Sequence, residues 1–239
     1  MIRQAIVVAG GRGTRLGPLA REYGNKCLVP TAGKPLLQHT LGWLKDVGVE
    51  SIIVTVNYVK ELGKISALLR DDSSVAVIGN LSRQNSAQSL PSIRGLLDPR
   101  FFFVYGHAPV PPEHLEDMDK ITSNEVVASL YATTSQRERA MKPARLCNSK
   151  IKLDESGSLF IEPPHILNHD LLGHIVQTES WKKSFLNYQG PIYGVHAMHP
   201  PEYHGPQDLE QVRAWVARRL GMQDETLGDA SPQLPSAPD

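Results

Sequence analysis

The sequence predicts an α/β domain in which helices cover both faces of a mostly parallel β-sheet. Short apolar runs alternate with segments of helical periodicity through the first half of the chain, a pattern typical of parallel sheets buried on both faces. The 239 residues are enough for one such domain with a substantial core. We therefore predict a single domain over residues 1–222, followed by a disordered tail over 223–239 that is rich in Pro, Ser, Asp and Ala.

The first half of the chain supplies most of the predicted sheet. A helix is predicted over Pro35–Val47, because three leucines share one face and Gly48 follows as a stop signal. Lys60–Arg70 is the second predicted helix. Ser86–Leu97 is the third, and Pro91 is expected to kink or shorten it. The strands predicted in this half are Ala5–Ala9, Ser51–Val56, Val75–Ile78, Phe101–Tyr105 and Val126–Ala132.

The alternation breaks after residue 132. Arg145–Leu153 and Ser158–Glu162 are predicted to form a hairpin across the Asp-Glu-Ser-Gly turn between them. Ile166–Leu186 is predicted to be an irregular helix and Pro191–Ala197 a strand. A final amphipathic helix is predicted to begin at Pro206, with apolar residues at 209, 212, 215, 216 and 220.

The composition limits the classes of partner and compartment. The 25 basic and 25 acidic residues cancel, so no overall field favours nucleic acid or an anionic membrane. No apolar stretch approaches the roughly 20 residues that span a bilayer, and the amino terminus has no signal-peptide pattern. Two cysteines, Cys27 and Cys147, argue against a disulfide framework and suit a reducing compartment. We expect a cytoplasmic protein that binds neither nucleic acid nor membranes; the oligomeric state is not predicted.

A glycine-rich loop carries the chemistry. The apolar run Ile6–Ala9 leads directly into Gly-Gly-Arg-Gly-Thr-Arg at residues 10–15. Three glycines at a strand end let backbone N–H groups converge on one anion. Arg15 and Lys26 then add a planar fork and a point charge, the two kinds of cation that bind phosphates. The segment is therefore interpreted as a triphosphate-binding loop.

Two other phosphate-binding loops are excluded. A Walker A loop requires Gly-x-x-x-x-Gly-Lys-Ser/Thr, which does not follow this strand. A dinucleotide fingerprint requires a third glycine where Leu16 stands, and the next strand ends at Asn57 without the acidic residue that binds a ribose hydroxyl.

The loop and the residues after it resemble a known family. Gly-Gly-Arg-Gly-Thr-Arg-Leu-x-Pro-Leu at 10–19, then Lys-Cys-Leu-Val-Pro-x-x-Gly-Lys-Pro-Leu-Leu at 26–37, is similar to the start of the nucleotidyltransferases of the nucleotide-sugar pyrophosphorylase and MobA-like NTP transferase type. The resemblance implies a single Rossmann-like (GT-A-like) domain. It also implies that the partners are a nucleoside triphosphate and a small phosphorylated metabolite, joined with release of pyrophosphate.

The resemblance also implies site residues. In the family the Arg of the loop binds the departing pyrophosphate and the following Lys steadies the transferring phosphate, which makes Arg15 and Lys26 the catalytic candidates. A second family segment contacts the base from a helix start, and Gln-Asn-Ser-Ala-Gln-Ser-Leu at 84–90 fits one of its forms. The nucleotide-binding candidates are Ala9, Gly10, Gly11, Gly13, Thr14, Ala87 and Gln88.

The metal half of the site departs from the family. In the family an apolar strand ends in Gly-Asp-x-Pro-Leu, and the Asp coordinates Mg²⁺; here His107 stands at that position. Glu202 aligns with the second family carboxylate. These two residues are the metal-ligand candidates, and Mg²⁺ or Mn²⁺ is the cofactor that the resemblance implies. Because imidazole suits softer ions than Mg²⁺, three alternatives stay open: a changed metal preference, a proton-dependent phosphate contact by His107, or loss of catalysis.

The acceptor half departs as well. Sugar nucleotidyltransferases commonly have Glu-Lys-Pro after the hairpin, and the Lys holds the acceptor phosphate; here the sequence is Glu162-Pro163-Pro164. Two hypotheses follow. The first is an active nucleotidyltransferase. The second is a catalytically degenerate relative that binds nucleotide as a regulatory or interaction module.

Overall fold

A computed structural model describes residues 1–10, 17–79, 90–121, 125–132, 143–147, 150–153, 159–178, 184–185, 188–201 and 205–222. Within these ranges nine strands form one sheet and two more form a short ribbon. The strands are β1 (Gln4–Val8), β2 (Pro30–Thr31), β3 (Lys34–Pro35), β4 (Ser51–Val56), β5 (Val75–Gly79), β6 (Arg100–Tyr105), β7 (Val126–Ala132), β8 (Pro143–Cys147), β9 (Lys150–Leu153), β10 (Leu159–Asn168) and β11 (Ile192–Ala197). The α-helices are α1 (Pro18–Tyr23), α2 (Leu36–Asp46), α3 (Val59–Leu69), α4 (Pro112–Asp119), α5 (His169–Thr178) and α6 (Leu209–Arg219).

The large sheet has the strand order β5-β4-β1-β6-β10-β7-β11-β9-β8. Strands β5, β4, β1 and β6 pair in parallel, and Val8 at the end of β1 is in register with both Thr55 and Tyr105. Strand β10 runs antiparallel between β6 and β7, and β7 pairs in parallel with β11. The predicted fold class, an α/β domain with a mostly parallel sheet, is confirmed.

Apolar side chains of the sheet pack into two cores, one on each face. Along β1, Ala5 and Val7 belong to one core, whereas Ile6 and Val8 belong to the other, as the alternation of side chains along a strand requires. Buried residues of α2, α3, α4 and α6 complete the first core. Helix α5 covers the second. All five residues of β1 are buried, which explains the apolar run over residues 5–8; the buried Gln4 side chain is hydrogen-bonded to the backbone of Leu96 and Asp98.

The strands and the first two helices predicted for the first half agree with the structure. Ser51–Val56 and Val126–Ala132 match residue for residue, and the other three strands differ by no more than one residue at either end. Helix α2 begins at Leu36, because the two residues before it form β3. None of the helices in the described ranges is long and apolar enough to cross a membrane.

The hairpin predicted for the second half needs correction: β10 pairs antiparallel with β8, Leu159 opposite Ala144, just before the predicted first strand. Arg145–Leu153 is not one strand: β8 and β9 pair with each other, Cys147 opposite Lys150. Of the predicted partner, Ser158–Glu162, the described residues begin at Leu159 and belong to β10, which continues to Asn168 in the middle of the sheet. The predicted strand ends at Glu162, directly before Pro163-Pro164. Instead the strand continues through a shift of register between Ile161 and His165, and such a bulge is where a strand tolerates proline.

Two predicted helices are also corrected. The predicted helix Ile166–Leu186 is strand up to Asn168, and its first helical stretch is α5. The Asn168 side chain accepts a hydrogen bond from the N–H of Leu171 at 3.0 Å, so it marks a helix start that the apolar periodicity hid. Within the predicted helix Ser86–Leu97, the described part is a 3₁₀ helix over Pro91–Leu96, and residues 86–89 lie outside the described ranges. The predicted tail 223–239 also lies outside them, and the domain bounds stay a prediction.

Candidate functional site

The strand order places a crevice at the carboxyl ends of β1 and β6. Strand β1 pairs on one side with β4, the next sheet strand in sequence, and on the other side with β6. From β1 the chain therefore continues toward one edge strand of the sheet, and from β6 it continues toward the other. In open α/β sheets ligands bind at this switch point, outside the carboxyl ends of the strands. The residues that follow β1 and β6 are the candidate site.

Gly10 follows β1 under close constraint. The N–H of Ala9 donates to the Thr55 carbonyl at 2.9 Å, which extends the ladder with β4. The amide nitrogen of Asn57 donates to the Gly10 carbonyl at 3.0 Å. A Cβ atom on Gly10 would lie 2.5 Å from that same side chain, a distance that real Cβ atoms do not show. A side chain at position 10 would therefore displace Asn57 from its contact with the backbone at the start of the loop.

Lys26 lies in a short turn that is bonded to the end of β1. A 3₁₀ helix spans Lys26–Leu28, and Asn25 caps it by accepting from the Cys27 N–H at 2.8 Å. The Asn25 amide nitrogen also donates to the Ala9 carbonyl at 2.6 Å. Lys26 is only 8% exposed, so this long cationic side chain is held within the protein rather than extended into water.

His107 follows β6 next to the same turn. The N–H of Gly106 donates to the Val8 carbonyl at 3.0 Å. A Cβ atom on Gly106 would lie 3.1 to 3.2 Å from side chains of β1, α2 and Cys27, so glycine allows the end of β6 to approach the Lys26 turn. His107 is half-buried, and its ring stacks on Tyr105 with centroids 5.2 Å apart.

The described part of the site does not fit a hard divalent cation. His107 offers a nitrogen donor where Mg²⁺ requires oxygen ligands. Across the described residues there is no group of three or more His, Cys, Asp or Glu side chains that could hold a metal ion. The other predicted ligand, Glu202, lies outside these residues. We therefore derive no catalytic step through a metal.

The position of the missing acceptor lysine is a packed bulge in β10. The Tyr131 hydroxyl donates to the Pro163 carbonyl at 3.3 Å, and the Ser129 hydroxyl donates to the Pro164 carbonyl. Ser129 is bonded in turn to Nε2 of His114 at 2.7 Å. Burial lowers the pKa of His114 from 6.5 to about 4, so this ring is neutral near neutral pH. The bulge is thus fixed by a buried polar network.

The structure places only part of the predicted site. Ala9, Gly10, Lys26 and His107 are described, and all four adjoin the carboxyl ends of β1 and β6. The remaining site predictions lie outside the described residues: Gly11, Gly13, Thr14, Arg15, Ala87, Gln88 and Glu202. The roles assigned to all of these residues stay predictions.

Three polar residues beside the loop were not predicted: Asn25, Asn57 and Glu61. Asn57 directly follows a buried strand at the predicted ligand edge, which was a usable signal. Asn25 precedes Lys26 and is the type of residue that caps helices. Glu61 gave no signal of its own, because an acidic residue in the first turn of a helix is ordinary.

Comparison with known proteins identifies the family. The model of the MobA-like NTP transferase domain matches residues 5–158. The chain is 30% identical over 168 residues to the CMP-5'-(3-aminopropyl)phosphonate synthase of Streptomyces rubellomurinus, covering 65% of this chain and 24% of that protein. It is 40% identical over 78 residues to the bifunctional IPC transferase and DIPP synthase of Aquifex aeolicus, covering 33% of this chain and 18% of that protein. These alignments therefore span less than a quarter of each relative.

The fold agrees with that assignment. The inositol-1-phosphate CTP transferase from T. maritima superposes with a TM-score of 0.73 at 16% identity, covering 93% of this chain and 98% of that one. At this identity the likeness concerns the fold alone, whereas the sequence match carries the family. The chain belongs to the family of the MobA-like NTP transferase domain, whose members are nucleotidyltransferases.

Proposed function

We propose that the chain transfers a nucleoside monophosphate from a nucleoside triphosphate to a phosphorylated sugar or similar small metabolite and releases pyrophosphate. The observation that carries the proposal is the contact between the Lys26 turn and the end of β1. Asn25, the residue before Lys26, is hydrogen-bonded to Ala9, the residue before Gly10, at the carboxyl ends of the strands, where α/β domains bind ligands.

The reaction needs charge neutralisation more than covalent chemistry from the protein. An oxygen of the acceptor phosphate attacks the α-phosphorus in line, a new P–O bond forms, and the bond to the β-phosphate oxygen breaks as pyrophosphate leaves. Two anions must approach each other, so fixed cations and backbone N–H groups lower the barrier. In this proposal the loop at 10–15 binds the triphosphate, Arg15 binds the leaving pyrophosphate, and Lys26 stabilises the phosphoryl group in transfer.

The acceptor is proposed to be a small phosphate monoester or a small phosphonate. It would bind without the lysine that holds the acceptor phosphate in sugar nucleotidyltransferases. Pro163 stands where that lysine is expected, and its carbonyl is occupied within the bulge. The relative from Streptomyces is named for the CMP phosphonate that it makes, and the structural neighbour from T. maritima for inositol-1-phosphate and CTP. This supports CTP as the first nucleotide to test and a range of acceptors wider than sugar phosphates.

The test is pyrophosphate release across four nucleoside triphosphates and a set of phosphate and phosphonate acceptors, with Mg²⁺ and Mn²⁺ compared. We expect turnover with at least one pair. Lys26→Ala should lower kcat by about 10² to 10³ fold, because it removes one charged contact to the reacting phosphate. Lys34→Ala is the matched control, since Lys34 is exposed in β3 and should keep wild-type turnover. Nucleotide binding without turnover for any pair would refute the proposal.

A second candidate function is nucleotide binding without catalysis. His107 at the family metal position and Pro163 at the acceptor position favour it. This alternative predicts that His107→Asp raises metal-dependent turnover above that of the wild type. Wild-type turnover within the ordinary enzymatic range of about 1 to 10³ s⁻¹ would exclude it.

A further inference from the structure

We propose that Asn25 and Glu61 form a positioning pair that fixes Lys26 against the start of the glycine loop and thereby sets the rate of nucleotidyl transfer. The inference rests on the proposed function, in which Lys26 acts on the transferring phosphate. It assigns a role to two buried residues that do not themselves touch the substrate.

Asn25 joins three separate parts of the chain. Its side-chain oxygen accepts from the Cys27 N–H at 2.8 Å. Its amide nitrogen donates to the Ala9 carbonyl at 2.6 Å and to a carboxylate oxygen of Glu61 at 3.1 Å. Asn25 is fully buried. All of its donor and acceptor groups therefore serve contacts that link β1, α3 and the Lys26 turn.

Glu61 holds the other end of the pair. It lies in the first turn of α3, where the helix dipole favours a negative charge, and it is 7% exposed. The charges of Lys26 and Glu61 act in opposite senses on the pKa of the buried Cys27 thiol. Both charges therefore lie close to the turn, and moving either one would change the electrostatics around Lys26.

The pair closes the base of the loop. Ala9 begins the segment that holds the triphosphate-binding loop and α1, and Asn25 ends it, so one hydrogen bond joins its two ends. Without that bond, the direct link between the two ends is lost, and the position of Lys26 relative to Ala9 depends on the remaining contacts. A displacement of about 1 Å at a catalytic group costs about 10² fold in rate. The pair is thus expected to act on kcat through the position of Lys26.

A double-mutant cycle tests this dependence on Lys26. Asn25→Ala should lower kcat by about 10² fold while changing KM for the triphosphate by less than about threefold. In a Lys26→Ala background the same substitution should change kcat by less than about threefold, because the group that it positions is gone. An equal fall of kcat in both backgrounds would overturn the proposal.

Asn168→Ala is the matched control. Asn168 is also a buried amide that caps the start of a helix. It pairs with Arg100 at the amino end of β6, the end away from the candidate site. It should lower the stability and leave kcat unchanged. A fall in kcat as large as that of Asn25→Ala would mean that loss of any buried cap slows the enzyme, and would overturn the proposal.

Compensating substitutions give a second test. Asn25→Asp replaces the amide donor with an acceptor that faces the Ala9 carbonyl and the Glu61 carboxylate, so kcat should fall. Adding Glu61→Gln supplies a donor from the other side, so the double variant should have a higher kcat than Asn25→Asp alone. Glu61→Gln alone keeps an acceptor for Asn25 but removes the charge, and should lower kcat by less than Asn25→Asp does. Absence of any rescue would count against the pair.

One further experiment distinguishes failure of the positioning role from failure of the proposed function. Wild-type protein that turns over no substrate pair refutes the proposed function. In that case the rate of reductive methylation of Lys26, followed by mass spectrometry, decides on the pair. Asn25→Ala should increase this rate several fold over wild type and Asn168→Ala should not; equal rates in the two variants would overturn the positioning role.

Discussion

Replacing His114 by glutamine should remove a large part of the acid sensitivity of the fold. His114 lies on α4 and is 5% exposed. The Ser129 hydroxyl donates to the Pro164 carbonyl, so the His114 Nε2–H donates to Ser129. A second proton on the ring would place a positive charge in this buried network, directly below the bulge that carries Pro163.

The size of the effect follows from the pKa of His114. Burial, with a smaller contribution from His196 of β11, lowers this pKa from 6.5 to about 4, although the carboxylates of Asp117 and Glu113 oppose the shift. Since the folded state favours the neutral ring, its contribution to stability is complete above pH 6.5 and is lost as the pH falls toward 4. At about pH 5 the linkage relation gives a loss of about 2 kcal/mol in the free energy of unfolding.

Urea unfolding, followed by circular dichroism at about pH 7.5 and pH 5, measures this loss. Glutamine keeps an N–H donor for Ser129 and does not titrate. Between the two pH values, wild type should therefore lose about 2 kcal/mol more than His114→Gln. The same loss in both proteins would mean that protonation of other groups causes the acid sensitivity, and would refute the reasoning.

Three further predictions concern packing around the site. Gly106→Ala should lower the free energy of unfolding by about 1 to 3 kcal/mol in urea, because its Cβ would lie 3.1 to 3.2 Å from three side chains. An unchanged free energy of unfolding would contradict this, because it would show that these side chains can move to make room. Burial raises the pKa of Cys27 to about 12, so in a Cys147→Ser background the native protein should react with a thiol reagent only as fast as it opens; immediate labelling at about pH 8 would contradict this. Arg219→Ala breaks an exposed ion pair with Glu113 and should lower the free energy of unfolding by less than about 1 kcal/mol. A larger loss would mean that the pair is part of a cooperative network.

The part of the fold that sequence could predict is the part with local signals. Each strand of the first half is an apolar run followed by glycine or a polar turn, so its bounds follow from neighbouring residues. Strand β10 lacks such a signal, because two prolines interrupt it and its partners β6 and β7 lie far away in sequence. Only the long-range pairing shows that this segment continues as a strand.

The same distinction between local signals and long-range contacts applies to the candidate site. The positions of Gly10 and Lys26 follow from a contiguous motif, and the structure places both at the expected edge of the sheet. The contact between Asn25 and Glu61 joins residues 36 positions apart. Neither residue type is unusual at its own position, so no local pattern could have predicted that the two side chains meet.

The late position of β10 in the chain has a consequence for synthesis. The family model ends at residue 158, but the strand that lies between β6 and β7 starts at Leu159. Until residue 168 has left the ribosome, β6 and β7 each present an open edge, and open edges favour pairing with other chains. A fragment cut at the boundary of the family match would keep those two edges permanently. We expect it to aggregate. Extending it through β10 would close these two edges and leave open the edge of β7 that pairs with β11.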